Sequence, residues 1–512
     1  MSRRLAPLAA LLALAGCTVG PNYRAPEPAL PQAFAAQPGP VAASPVDLTR
    51  WWEAFRDPQL TQLIAIGMAE APDLQTAASR VRQARFQLVQ ARAAGLPQIN
   101  GSVGGQYLRF DRIGQSGDVE GLVNRLRGQT QGAGGAGDGG GAASAVDVSS
   151  LPNDIKLVSA GFDASWAVDL FGGVRRQTEA ARDQVQAAEW DARDARILLA
   201  GEIASDYLQM RGFQQQAAIA GEEADRQARA LGLLEHTAQV GLVPQGNATR
   251  QRTQLATARA QVAPLQAQAQ AQIHAIAVLI GRTPESLTGV LSPVRALPDA
   301  PPAIPPGLPV DLIRRRPDVR AAERRLAAAT AQIGVQVAQL YPQISLTAMP
   351  QLAATWLGGF FIGKALQLTA QGAASFPILD FGRRRAGVDI AREQREQAYV
   401  QWRQTVLQAL RDVEDALVRY DAERQSNDEL RGGVASAQRA LGTVTAQYQV
   451  GLSDYQPVLD AQQQLLQIRN SLTQSDTRIR TDLASLYLAL GGGWREDDPA
   501  PIRPTIEDQP RK

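Results

Sequence analysis

Gln239-Val240-Gly241-Leu242 recurs 210 residues later as Gln449-Val450-Gly451-Leu452, so the chain carries an internal repeat. Four further pairs of anchors follow the same order. Two pairs are also 210 residues apart: Leu170-Phe171-Gly172 with Asp380-Phe381-Gly382, and Gly281 with Gly491. The other two pairs are 245 residues apart: Pro72-Asp73-Leu74 with Pro317-Asp318-Val319, and Leu96-Pro97-Gln98-Ile99 with Tyr341-Pro342-Gln343-Ile344. The difference between 245 and 210 places a 35-residue insertion in the first half, where Gly128 to Gly141 contains eight glycines. The chain is therefore predicted to be a tandem duplication.

Each half of the duplication reads as one helix, two strands separated by a loop, and two long helices. Ala77 to Ala94 and Ala321 to Leu340 are rich in good helix formers, and a proline closes each segment. Alternating apolar and polar residues predict four strands, at about residues 98–110, 155–171, 343–356 and 365–380. The 67 residues from Val174 to Val240 carry apolar side chains at helical spacing. They predict a helix roughly 100 Å long, since each residue adds about 1.5 Å.

These elements divide the chain into six segments. A segment with eight prolines between Pro284 and Pro309 separates the two halves. We predict a signal peptide at residues 1–16, a lipidated extended segment at 17–58, the first structural repeat at 59–282, a Pro-rich connecting strap at 283–310, the second structural repeat at 311–494, and a mobile C-terminal tail at 495–512.

The N-terminus has the pattern of a secretion signal. Arg3 and Arg4 precede an apolar run from Leu5 to Ala15, which is too short to span a membrane but typical of a signal peptide. Cys17 follows Leu-Ala-Gly, which resembles a bacterial lipobox and implies cleavage before Cys17 and a diacylglycerol on its sulfur. Thr18 stands where an Asp would retain a lipoprotein at the inner membrane, so we expect an outer-membrane anchor. The alternative is an ordinary signal peptide with an incidental cysteine.

The composition disfavours several classes of protein. The 512 residues hold 52 Lys+Arg against 50 Asp+Glu, and a net charge of +2 gives no electrostatic support for nucleic-acid binding. One cysteine excludes an internal disulfide framework, and with only His236 and His274 available a zinc site is improbable. The sequence shows no cluster of catalytic residues. We therefore expect a protein that is not an enzyme and that binds no cofactor or metal.

Four strands from one chain cannot cross a bilayer alone, because an open sheet presents unpaired backbone groups to lipid. Closure then requires several protomers, and twelve strands would begin to leave a lumen where eight would be filled by side chains. Helices of roughly 100 Å reach far beyond a hydrocarbon core of roughly 30 Å. The sequence thus favours a barrel continued by a helical tube. A two-faced sheet in a soluble protein is the alternative.

Several motifs resemble the TolC-like outer-membrane efflux family, in particular its lipoprotein branch, the NodT/OprM-like proteins of RND-type tripartite efflux systems. The motifs are Cys17-Thr18-Val19-Gly20-Pro21-Asn22-Tyr23, Trp51-Trp52-Glu53 and the run from Leu312 to Glu323. The resemblance implies a mixed α and β membrane protein, a homotrimer with a twelve-stranded outer-membrane β-barrel, four strands per chain, and a long α-helical periplasmic tunnel. It also implies two partners, a periplasmic adaptor (membrane-fusion) protein and an inner-membrane RND-type transporter.

The resemblance also assigns roles to individual residues. Gly241 and Leu242, with Gly451 and Leu452, match the periplasmic tips where adaptor hairpins dock; these glycines can equally be simple helix ends. Asp460 matches an aperture-lining carboxylate, and Tyr448 matches another position of the gate. The alternative for Asp460 is a structural role, as an exposed carboxylate in the first turn of a helix that interacts with the helix dipole. Ser453, Asn247 and Pro457 depart from positions that are often charged in the family.

The leading interpretation is the exit duct of a tripartite efflux pump, which conducts small toxic compounds or drugs passively across the outer membrane. One alternative is an outer-membrane lipoprotein scaffold without a conduit. Others are an exit duct for metal ions or for secreted proteins, which the resemblance permits as well. Four methionines give no hint of a path for soft metals.

Overall fold

The computed structural model describes residues 18–28, 30–35, 48–109, 154–301, 315–357 and 360–494. The chain forms two compact units. The first, which we call the strand unit, comprises Met1–Gly20, Gln90–Gln177 and Gly334–Val388. The second, the helical unit, comprises Pro21–Val89, Thr178–Ile333 and Asp389–Lys512. Each unit takes segments from both halves of the duplication, so the repeats are not separate domains.

The helices come in matching sets. The first half has α1 (Pro58–Glu70), α2 (Pro72–Ala93), α3 (Gly173–Gln239) and α4 (Gln245–Leu279), and after a short helix α5 (Thr288–Leu291) the second half has α6 (Pro317–Ala338), α7 (Arg383–Gln449) and α8 (Gln456–Ala489). Helices α3 and α7 each contain 67 residues, the length predicted for the first of them. No helix of the described residues is long and apolar enough to cross a membrane.

The four strands form one antiparallel sheet in the order of the sequence. They are β1 (Gln98–Arg109), β2 (Asp154–Val168), β3 (Gln343–Leu357) and β4 (Phe360–Ser375). In the first hairpin Gln98 lies opposite Ser165, and in the second hairpin Gln343 lies opposite Ser375. Strands β2 and β3 join the two hairpins, which leaves β1 and β4 as the edges of the sheet.

Two predicted strand ends differ from the structure. The strand expected at residues 365–380 lies at Phe360–Ser375, and the one expected at 155–171 ends at Val168. Strand β4 starts five residues before its predicted start because Phe360 already pairs with Leu357 at the turn of the second hairpin. The alternating pattern continues beyond Ser375, but β4 is an edge strand, and no strand among the described residues pairs with it there. The start of the predicted strap is helical rather than irregular, with a 3₁₀ turn at Pro284–Leu287 followed by α5.

The helical unit is held by one large apolar core. Phe55, Leu60, Ile64, Ile203 and Ile276 are fully buried in it. Burial of a large apolar side chain contributes roughly 1.5–3 kcal/mol. Trp51 stacks on Tyr487 with ring centroids 5.3 Å apart, so the 3₁₀ turn Trp51–Phe55 packs against α8. The two tryptophans of the Trp-Trp-Glu motif are thus part of the core, and Glu53 is exposed.

In the strand unit, the segment after Cys17 crosses a helix at a pair of glycines. Gly20 has a φ of +92°, and a Cβ on it would lie 2.5 Å from Cα of Gly334. The Arg176 side chain donates to the carbonyl oxygens of Val19 and Gly20, at 3.1 and 3.2 Å. Gly334, the single glycine within α6, is explained by this close approach.

Candidate functional site

Two turns of the helical unit connect the long helices, and they have the same backbone geometry. At the first, the amides of Gly241 and Leu242 donate to the carbonyls of Ala238 and Thr237, at 3.1 and 2.9 Å. At the second, Gly451 and Leu452 repeat both bonds 210 residues later, at 3.0 and 2.9 Å, and both glycines have a φ of +75°. This is the Schellman ending, which needs a left-handed residue and therefore favours glycine.

Both turns present apolar side chains to solvent. Leu242 is 75% exposed and Leu452 is 80% exposed, and Val240 and Val450 beside them are exposed as well. A Cβ on either glycine would meet nothing within 4 Å. The predicted tip residues are thus accessible within the single chain, and their apolar surface is arranged around backbone that a partner can approach closely.

The two helical hairpins, α3–α4 and α7–α8, are packed together beside these turns. A second apolar cluster joins them and includes Leu231 and Leu234 of α3, Leu255 of α4, and Val458 and Leu459 of α8. Tyr455, immediately before α8, is buried in the same cluster, and its ring lies 5.1 Å from that of Tyr448. The predicted aperture residues Tyr448 and Asp460 therefore lie on helices that this cluster holds in place.

A chain of buried polar side chains accompanies the apolar cluster. The Tyr455 hydroxyl donates to Oε1 of Gln251 at 2.9 Å, and Gln251 is fully buried. Nε2 of Gln251 donates to the carbonyl and the side-chain oxygen of Gln227, and Nε2 of Gln227 donates to Oε1 of Gln462 at 3.1 Å. The Gln227 amide also donates to Glu223, which pairs with Arg226. We call Tyr455, Gln251, Gln227 and Gln462 the interhairpin network.

The interhairpin network was not predicted from the sequence. Glutamine is abundant throughout these helices, so Gln227, Gln251 and Gln462 carry no distinguishing signal. Tyr455 differs only in being the aromatic residue just before a helix with a proline in its first turn. Burial, with a smaller contribution from Tyr448, raises the pKa of Tyr455 to about 12, so its hydroxyl keeps its proton at neutral pH.

The predicted aperture residues have different surroundings. Asp460 is exposed, and one of its carboxylate oxygens accepts a 2.9 Å hydrogen bond from Gln456 one turn earlier. Tyr448 is half-buried beside Tyr455. Ser453 donates to the carbonyl of Asp454, and Pro457 lies in the first turn of α8. Within the described residues, no ion pair links the two hairpins at Ser453, Asn247 or Pro457. The two hairpins are linked instead by neutral groups, namely glutamine side-chain amides and the Tyr455 hydroxyl.

Other predicted features lie partly outside the described residues. Cys17, the signal peptide, the glycine-rich loop at Gly128 to Gly141 and the C-terminal tail are all in undescribed segments. Among the residues that are described, no group of three or more His, Cys, Asp or Glu side chains is arranged to hold a metal ion.

Comparison with known proteins identifies the family. The family model "Outer membrane efflux protein" matches residues 63–282 and 308–492. Nodulation protein T of Rhizobium leguminosarum bv. viciae is 30% identical over 96% of this chain and 94% of its own length. The pyoverdine export outer membrane protein OpmQ of Pseudomonas putida is 30% identical over 88% and 89%.

The fold prediction is confirmed by a solved structure. The outer-membrane channel OprN superposes with a TM-score of 0.78 at 29% identity, covering 93% of this chain and all of that one. The four-stranded sheet and the paired long helices are therefore those of a barrel strand set and tunnel helices. This chain belongs to the outer membrane efflux protein family and acts as an exit duct for efflux across the bacterial outer membrane.

Proposed function

We propose that the duct is a homotrimer of this chain, coupled through a periplasmic adaptor to an inner-membrane RND-type transporter. The observation that carries this proposal is the four-stranded sheet, whose two edges pair with no other strand in the part of the chain that the structure describes. Unpaired backbone groups cost several kcal/mol each in hydrocarbon, so the edges require partners. Three copies supply twelve strands, which suffice to leave a lumen.

The adaptor would bind the tips formed by Gly241, Leu242, Gly451 and Leu452. Their exposed apolar side chains are the kind that bury on binding, and the left-handed glycines leave the backbone open to close contact. The two turns share one geometry, so one type of adaptor hairpin fits both positions.

Asp460 and Tyr448 would line the periplasmic aperture. Three exposed carboxylates around a threefold axis repel one another and attract cations. The interhairpin network, rather than an ion pair, would hold α8 against the first hairpin when the aperture is closed. Opening then requires this network to separate.

The cargo would be small toxic compounds or drugs, chosen by the transporter and conducted passively by the duct. No catalytic chemistry is needed for this role. Lipid on Cys17 would anchor each protomer to the outer membrane, since several acyl chains hold a protein nearly permanently.

The test combines conductance and complementation. Purified protein in a planar lipid bilayer should form ion-conducting channels, and particle mass in detergent should correspond to three chains. Deletion of the gene should sensitise cells to toxic compounds, and the wild-type gene should restore resistance. A trimer that never conducts would contradict the duct and support a scaffold. Lipid labelling that persists after Cys17→Ser would contradict the attachment site.

A further inference from the structure

The two hairpins of the strand unit are equivalent residue for residue. Gln98 pairs with Ser165 in the first hairpin, and Gln343 pairs with Ser375 in the second. Adding 245 to Gln98 gives Gln343, and adding 210 to Ser165 gives Ser375. The offsets found in the sequence therefore transform one hairpin into the other without a change of register.

The junction between β2 and β3 then becomes a template for the junction between chains. In the template Ala164 lies opposite Ala348. Adding 210 to Ala164 gives Ala374 in β4, and subtracting 245 from Ala348 gives Val103 in β1. We propose that β4 of one protomer pairs antiparallel with β1 of a second copy, in the register that places Ala374 opposite Val103 of that copy. This inference rests on the proposed oligomeric duct and specifies its interface.

The side chains agree with this register on both faces of the sheet. The derived pairs on one face are apolar or small, Ile99 with Ile378, Gly101 with Phe376, Val103 with Ala374, and Tyr107 with Ala370. Those on the other face include Ser102 with Ser375 and Gln106 with Gln371. Directly opposed residues point to the same face, so a slip of one residue would set apolar side chains against polar ones.

Gly101 gives a more specific indication of the register. The ring of Phe162 lies beside it, 3.7 Å from where a Cβ would be. In the derived register Phe376 of the second copy approaches Gly101 from the other side. Phe376 is 62% exposed in the single chain and follows β4 directly. Aromatic rings that cover a glycine are a known way of pinning strand register, and a slip of two residues would move Phe376 away from it.

A contact below the strands has its own template. Phe171 stacks on Tyr341 with centroids 4.7 Å apart and planes 17° apart. Adding 210 to Phe171 gives Phe381, and subtracting 245 from Tyr341 gives Leu96. Phe381 is 92% exposed and has a φ of +52°, a conformation that is strained for a bulky residue. Packing on Leu96 of the second copy would cover its ring and offset that strain.

The occupant of these edges is a second copy of this chain because the template comes from the chain itself. The free edge of β1 is equivalent to the edge of β3 that pairs with β2. The free edge of β4 is equivalent to the edge of β2 that pairs with β3. Each protomer uses both edges once, so the pairing runs head-to-tail from copy to copy, and three copies close it into the twelve-stranded ring of the proposed trimer.

Paired cysteines test the register directly. The full-length A374C/V103C protein is oxidised in membranes with copper–phenanthroline and separated without reductant. Within one chain these residues lie on opposite edges of the sheet, because the pairing leads from Val103 to Leu366, eight residues from Ala374. Three strand spacings and eight residues along the strand separate them by roughly 30 Å, too far for a disulfide. We expect covalent dimers and trimers in several-fold higher yield than for A374C/G101C or A374C/G105C. Those controls shift the pairing by two residues, so their Cα atoms are separated by about 8 Å.

The remaining outcomes are distinguishable. Higher yield from either shifted pair, or equal yield from all three, would overturn the register while leaving the trimer intact. Protein that is monomeric by mass in detergent would overturn the proposed function as well. The wild-type chain, with Cys17 as its one cysteine, gives the background.

An independent experiment tests the contact between Phe381 and Leu96. F381A and L96A should each lower the temperature at which trimers dissociate. The dissociation temperature of the double variant should be no lower than that of the less stable single variant. Additive shifts would overturn the Phe381 contact.

Discussion

Removing one hydroxyl from the interhairpin network should favour the open aperture. In Tyr455→Phe the ring and its packing in the apolar cluster remain, and only the donor to Gln251 is lost. Oε1 of Gln251 then has no other donor among the described residues, and the side chain is fully buried. In the separated state water can solvate this oxygen, so the penalty falls on the docked hairpins alone.

The magnitude follows from the cost of one unsatisfied buried acceptor. A buried polar atom that loses its partner costs about 1–3 kcal/mol. A free energy of that size shifts a two-state equilibrium by about 5- to 150-fold. The closed-to-open equilibrium of each protomer should therefore move toward the open state by a factor in that range.

Single-channel recording in planar bilayers measures this equilibrium as open probability, and entry of a large hydrophilic antibiotic into cells measures it in vivo. Tyr420→Phe is the matched control. It removes a hydroxyl from the helical unit that makes no hydrogen bond within the described residues, so its open probability should equal that of wild type. A Tyr455→Phe channel that opens no more often than this control would refute the reasoning.

Three further predictions concern other parts of the molecule. Leu242→Asp or Leu452→Asp should abolish complementation and adaptor cross-linking while trimers persist, whereas Val290→Asp, an equally apolar exposed site, should do neither; unchanged complementation would contradict tip docking. Burial, and then Asp318, raise the pKa of Asp194 to about 6, so its ionisation destabilises the fold as pH rises from about 4 to 6. Asp194→Asn should therefore raise the free energy of unfolding, measured with denaturant, by up to roughly 3 kcal/mol more at pH 7 than at pH 4, and a gain that is the same at both pH values would contradict this. Gly20→Ala should release residues 18–20, because its Cβ would lie 2.5 Å from Gly334, and proteolysis in that segment should accelerate; an unchanged digestion rate would count against the crossing.

Much of the fold could be predicted because the signals are local and occur twice. The long helix expected over Val174 to Val240 lies at Gly173–Gln239, since helical periodicity and the terminal Gly241 define it without reference to tertiary contacts. The end of β4 could not be predicted in this way. The alternating pattern continues through Phe376 and Ile378, but in the single chain β4 ends at Ser375. We expect the strand to extend through these residues only when a second copy pairs with it.

The candidate site was predictable only in its backbone. Gly241 and Gly451 are marked by their recurrence and by the conformation that a Schellman turn requires. Tyr455 and the three glutamines are marked by nothing in the sequence, because their role arises from burial between helices that are distant along the chain. A buried polar network is defined by its partners, and a sequence lists residues without their partners.

The duplication also shows how the two hairpins came to bind each other. Adding 210 to Gln227 and Gln251 gives Ala437 and Ala461, and subtracting 210 from Tyr455 gives Gln245. The members of the interhairpin network therefore have no equivalents in the other half, although the turns beside them are geometrically the same. Had the halves stayed identical, both hairpins would carry the same groups, and this asymmetric set of donors and acceptors would not exist. The backbone retains the repeat because both helix endings need a glycine, and the divergence of the buried side chains makes the contact between the hairpins specific.

Two variants that restore the repeat test this argument. Gln251→Ala should loosen the contact between the hairpins and raise open probability, as Tyr455→Phe does, whereas Gln245→Tyr in the exposed first turn of α4 should leave open probability unchanged. An equal effect from both variants would show that these positions do not form a matched pair.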